Sequence, residues 1–207
     1  MLYKGKLIIL LLVALFSNAA LSEDSADCEK IFNKLDKQHV DTTAKDHHKD
    51  FIKLENDIFD AIEQCKTYAG MFVLMGELQI EMGQIPLAVV YGEKSVELDG
   101  EYWRAHKLLG SAKMLNKEFE DGLNSLKKAV ALNPKNINAQ LNLISALIQN
   151  AEYDQALAMV NTVINKNEKG TLSIAYYFRS QIYSAKGLIS EANKDARKSQ
   201  ELGDAFK

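Results

Sequence analysis

The chain has 207 residues, 47% of them hydrophobic, a formal net charge of −3, two prolines and 11 glycines. That composition excludes a disordered chain and is enough for one extended domain with a continuous core. There is no basic excess, so the electrostatic case for nucleic acid or for an anionic membrane surface is missing.

Residues 1–22 stand apart from the remainder of the chain. MLYKGK is a positively charged start, LIILLLVALF an apolar run, and SNAALS a polar end rich in small residues. This is the layout of a secretory signal peptide, with cleavage expected after Ala20 or Ser22. The apolar run is shorter than the roughly 18 residues of a spanning helix, so an uncleaved anchor is the alternative and no membrane insertion is expected after cleavage. The expected destination is outside the cytoplasm, the periplasm first and secretion as the alternative.

Residues 23–68 read as an N-terminal helical cap. Ala26–Gln38 is expected to be a helix with Ile31, Phe32 and Leu35 on its apolar side. His39–Asp50 (HVDTTAKDHHKD) has no periodicity and is expected to be a loop or a frayed helix start. Within it Asp46, His47, His48 and Asp50 are metal-ligand types, but adjacent histidines diverge and the surroundings are polar, so a solvated loop is expected and no metal is assigned. Phe51–Lys66 is a strongly amphipathic helix. Its Leu54, Ile58 and Ala61 stand 34 residues before Ala88, Gly92 and Ser95, as in a degenerate repeat that caps an array. Cys28 and Cys65 lie in these two helices. An oxidising compartment favours a disulfide between them, with two separate buried thiols as the alternative; the spacing of a redox-active Cys-x-x-Cys pair is absent.

Four units of one pattern come next, at 69–102, 103–136, 137–172 and 173–203, then a tail at 204–207. The second shows the pattern best. Trp103, Ala105, Leu108, Leu109, Ala112 and Leu115 form one helical stripe, Asn116-Lys117 interrupts it, and Phe119, Leu123, Leu126, Ala129, Val130 and Leu132 form a second that stops at Asn133-Pro134. Gly76 precedes Gly110 by 34 residues, and Ala88, Gly122 and Ala156 follow one another at the same interval. Gly83, Ala151 and Gly187 mark turns. The step from Ala156 to Ala192 is longer by two, placing an insertion in the Asn165–Thr171 loop. The last helix, Leu188–Gly203, turns polar outward at Asn193, Lys194, Lys198 and Gln200, where earlier units are apolar. Neither helix of a unit can bury its stripe alone, so stacking is required.

Phe72, Gly76 and Ala88 in the first unit, Leu109-Gly110, Ala129 and Pro134 in the second, Leu143, Leu147 and Ala156 in the third, and Tyr176, Tyr183 and Ala192 in the fourth make the chain resemble the tetratricopeptide repeat family over residues 69–203. The resemblance departs at His106, Gly122, Ile144 and Ser180. It implies an all-α fold, a right-handed α-solenoid of helix-turn-helix repeats whose first helices line a concave groove. It places groove positions at Val73, Glu77, Ile80 and Glu81; at Arg104, Lys107, Ser111 and Met114; at Asn138, Leu141, Ser145, Ile148 and Gln149; and at Ile174, Tyr177, Gln181 and Ser184. It also implies a protein or peptide partner, bound as an extended segment or an amphipathic helix. The family's basic clamp for chaperone tails is missing, because the ninth positions hold Glu77, Ser111, Ser145 and Gln181. No metalloprotease, nucleophile-elbow or phosphate-loop motif occurs, and His106 reads as a packed residue. The expectation is a non-enzymatic interaction module without a cofactor, an adaptor or assembly factor for an envelope protein, with a self-associating or membrane-tethered scaffold as the alternative.

Overall fold

A computed structural model describes residues 25–43, 48–166 and 170–204. Among the described residues there are ten helices and no strand: α1 (Ser25–Thr43), α2 (His48–Gln64), α3 (Ala69–Glu81), α4 (Ile85–Leu98), α5 (Trp103–Leu115), α6 (Phe119–Leu132), α7 (Ile137–Gln149), α8 (Tyr153–Lys166), α9 (Leu172–Ala185) and α10 (Ile189–Asp204). The signal-like residues 1–22 and the Asp46-His47 part of the polar cluster lie outside the described residues, as do 205–207 of the tail.

Consecutive helices pack together. The odd-numbered helices also touch one another, α1 to α3, α3 to α5, α5 to α7 and α7 to α9, whereas the described even-numbered helices do not. Close spacing on one side and wider spacing on the other bends the stack, so the odd helices line the concave face of a right-handed solenoid. The helices repeat in register as well. The C-terminal caps Met82, Asn116 and Asn150 stand 34 residues apart, and Lys186 follows 36 later. The two extra residues fall between α8 and α9.

Every turn inside a repeat uses the same backbone trick. Gly83, Lys117, Ala151 and Gly187 occupy equivalent positions and all have positive φ, at 73°, 68°, 59° and 76°. The outer two are glycine, which adopts this region freely; the inner two are not.

The cap is continuous with the array. Cys28, Phe32, Leu35, Leu54, Ile58 and Cys65 share one core with Met71, Phe72, Met75 and Leu78 of α3. Cys28 and Cys65 are joined in a disulfide. Two expectations need correction here. α1 does not end at Gln38 but runs to Thr43, and α2 begins at His48 rather than Phe51. The stretch 39–43 stays helical because His39 is buried against α3, within 3.2 Å of Glu81. A tertiary contact overrides a sequence without periodicity.

Candidate binding groove

Five first helices, α1 included, form the concave wall, and its two halves differ. The half near the N-terminus is ionic. Arg104 on α5 donates from Nη1 and Nη2 to the Asp36 carboxylate on α1 (3.2 and 2.8 Å) and from Nη2 to Glu77 Oε2 on α3 (3.0 Å). Lys107 Nζ donates to Glu77 Oε1 at 2.9 Å. The Arg104 guanidinium also stacks 5.3 Å over the Phe32 ring. Burial pushes the Glu77 carboxyl up, but the Lys107 and Arg104 charges outweigh it and hold the group below the ordinary value. For Arg104 burial works against the charge, and the Asp36 hydrogen bonds with the Glu77 field hold it above the ordinary arginine value. Glu81 moves the other way: burial raises it, and His39 opposes that only partly.

These groups border a cavity of about 460 Å³ that extends to Val40, Ile80, Ser111 and Asn142. Asp36, His39 and Glu77 bring ligand-type atoms within 4.8 Å of one another. Yet every oxygen of Asp36 and Glu77 already accepts a hydrogen bond from Arg104 or Lys107. A dication there would have to break those bonds and sit against two fixed cations, so the cluster acts as an ion network holding α1 in the groove. His39 Nε2 faces Glu81 Oε2 at 3.2 Å but has no partner in hydrogen-bond geometry.

The half built by α5, α7 and α9 is different. Asn142 Nδ2 donates to Ser111 Oγ at 3.0 Å, and Gln149 Nε2 to Ser145 Oγ at 3.4 Å. Asn138 is exposed, and Ser145, Ile148 and Gln181 are partly open. Ile174 and Tyr177 expose 45% and 50% of their surface.

Several expected groove residues are not groove residues. Val73 is fully buried against Ala105 and Leu108 of α5, and Leu141 and Met114 are only 6% and 7% exposed, inside the core shared by α5 to α9. Of the apolar side chains at the expected groove positions, Ile80, Ile148, Ile174 and Tyr177 remain at least partly open. Val73, Leu141 and Tyr177 share one repeat position; the following first helix covers Val73 and Leu141, and Tyr177, on the last first helix described, has none over it. Arg104 and Lys107 face the groove but are committed to internal carboxylates. Glu77 is their counter-charge. Asp36 and His39 joined the site unforeseen: Asp36 lies inside the expected helix but meets a partner 68 residues away, and only the extension of α1 brings His39 there.

A second cluster lies on the outer side of the last repeat. Arg179 Nε and Nη2 donate to Asp195 at 2.6 and 3.0 Å, and Nη1 donates to Asn161 Oδ1 at 2.8 Å. Its guanidinium lies 5.2 and 5.8 Å from the Tyr176 and Tyr183 rings. The sequence signal was present: Arg179 stands where the preceding repeats carry Leu109 and Leu143.

Residues 113–182 match the model of the tetratricopeptide repeat family. No curated protein sequence matches the chain. Among solved structures, MamA is similar at 23% identity and a TM-score of 0.64, covering 81% of this chain and 95% of that one. TTC0263, a thermophilic TPR protein in Thermus thermophilus, is similar at 16% identity and a TM-score of 0.67, over 83% and 91% of the two chains. YrrB, described as a TPR protein with an unusual peptide-binding site, is similar at 17% identity and a TM-score of 0.62, over 88% and 90%. Together they place the fold among tetratricopeptide-type solenoids.

Proposed function

We propose that the chain is a non-enzymatic protein-interaction module, an adaptor or assembly factor that holds a segment of a protein partner in the concave groove bounded by α5, α7 and α9. The observation that carries this reading is the pair Ile174 and Tyr177, two large apolar side chains about half open to water on α9, the last first helix described. Covering such surface favours binding, and aromatic side chains are common anchors of interfaces. Solenoids of this type generally serve protein–protein contact, and YrrB is described as having a peptide-binding site.

The proposed location is outside the cytoplasm, in the periplasm. The signal-like layout of residues 1–22 supports it, and so does the Cys28–Cys65 disulfide, a bond suited to oxidising compartments. No described helix is long and apolar enough to cross a membrane.

A photo-crosslinking amino acid tests the groove. Placed at Ser145 or Gln181 it should capture a discrete partner in cells, while the same group at exposed Lys127 or Ala158 on the outer helices should not. Capture from the outer positions alone would overturn the reading.

A further inference from the structure

The inner wall from Ser111 to Ser184 has no ionised side chain left to offer. α7 contains no acidic, basic or histidine residue in its 13 positions. The one charged residue of α9, Arg179, is turned to the outer side and held by Asp195 and Asn161. On α5, Arg104 and Lys107 are held by Asp36 and Glu77, and Lys113 lies within 4.0 Å of Glu93, Glu118 and Asp121. What remains is Ser111, Asn138, Asn142, Ser145, Gln149, Gln181 and Ser184, with Ile148, Ile174 and Tyr177 as the apolar surface.

Building on the proposed role of this groove, we infer that its ligand is an uncharged, extended peptide segment. Side-chain amides bind it along its backbone, and one bulky apolar side chain rests against Ile174 and Tyr177. Charge complementarity carries the first part. An ionised group brought into this wall would lose water and meet no counter-charge, a penalty that a neutral segment avoids. Hydrogen-bond chemistry carries the second. A primary amide has both a donor and an acceptor, as a peptide unit does, and only an extended segment has its N–H and C=O groups free to meet them; a helix has used its own. The third part follows from the exposure of Ile174 and Tyr177.

The test selects a phage-displayed library of short random peptides on the full disulfide-bonded chain, then measures enriched peptides as free ligands. Enriched sequences should lack charge in their shared core and carry an aromatic or aliphatic residue. Their Kd should change less than about twofold between about 50 mM and about 500 mM salt, since no ion pair is there to be screened. Asn138→Ala, Gln181→Ala and Tyr177→Ala should each weaken binding at least about fivefold at unchanged melting temperature. Ser145→Lys should redirect selection toward acidic peptides. Enriched peptides that are charged and salt-sensitive yet depend on Tyr177 would overturn the inference and leave the groove's role standing. Peptides that bind with no response to any groove variant, or no enrichment at all, would remove both. Because three positions at least partly open to water are probed separately, one variant that fails to fold does not empty the test.

Discussion

Gly110 and Gly122 meet backbone to backbone where α5 crosses α6. A methyl group on Gly110 would lie 2.9 Å from the Gly122 carbonyl oxygen, and one on Gly122 would lie 3.0 Å from the Gly110 carbonyl oxygen. Gly110→Ala gains helix propensity but must push Leu126 and a backbone aside. We expect a net loss of about 1–3 kcal/mol, read from urea denaturation. Stability equal to the parent protein would show that the crossing is looser than described.

The four positive-φ turns give a signed comparison. A non-glycine residue in this region costs about 1–2 kcal/mol, part of which glycine returns by its freedom in the unfolded chain. Ala151→Gly and Lys117→Gly should therefore stabilise by up to about 1 kcal/mol, and Gly83→Ala should destabilise by a similar amount. Chemical denaturation of the three variants checks the sign; loss of stability in both glycine variants would refute the account.

Leu141 and Tyr177 occupy equivalent positions, yet one is 6% exposed and the other 50%. Leu141→Ala should cost about 2–5 kcal/mol, whereas Tyr177→Ala should stay within about 0.5 kcal/mol of the parent. Equal melting temperatures for the two variants would contradict this burial.

The disulfide closes a segment of 37 residues. On the chain-entropy estimate it contributes about 4 kcal/mol, an upper figure for practice. Reduction, or Cys28→Ala with Cys65→Ala, should lower the thermal midpoint and expose α1 to limited proteolysis. Intact α1 after reduction would mean that the ion network alone holds it.

Stability should fall at both extremes of pH. Glu77 is held below its ordinary value of 4.5, so its contribution is present above that pH and is lost as pH falls through the lower folded value. Glu81, raised by burial, works in the opposite direction in the same region. Glu77→Gln should flatten the acid limb and Glu81→Gln steepen it. Burial, with a lesser push from Glu55, raises Tyr91 from 10.0 to about 12. Burial does the same to Tyr102, also to about 12, helped by Tyr68, Glu77 and Asp36 and opposed by Arg104. The stability tied to these phenols is complete below pH 10 and disappears as pH rises through the folded value. Tyr91→Phe should reduce the alkaline loss in a denaturation series; an unchanged alkaline limb would sink this assignment.

The repeats could be read from the sequence because their signals are local. Gly76, Gly110 and Gly122 stand at helix crossings, and Gly83 and Gly187 sit at turns whose geometry asks for glycine. The groove was less legible. Whether Val73 is wall or core depends on how far Ala105 and Leu108 lean over it, a matter of superhelical geometry that no window of sequence contains. The ionic half was hidden for a different reason. Asp36 and Arg104 are 68 residues apart, and the residues from His39 onward lack the periodicity that would have extended α1 to bring His39 against Glu81.

In most solenoids each layer touches only the next, and the stack flexes like a spring as small rotations add from coil to coil. Here Asp36 on α1 grips Arg104 on α5 across the intervening α3, so the first three coils are clamped as one. Pitch changes must then gather in the remaining coils, α7 through α10. The amide-lined stretch is thus the part of the spring left free to widen or narrow, and the width a guest finds there is set by coils that the clamp does not reach.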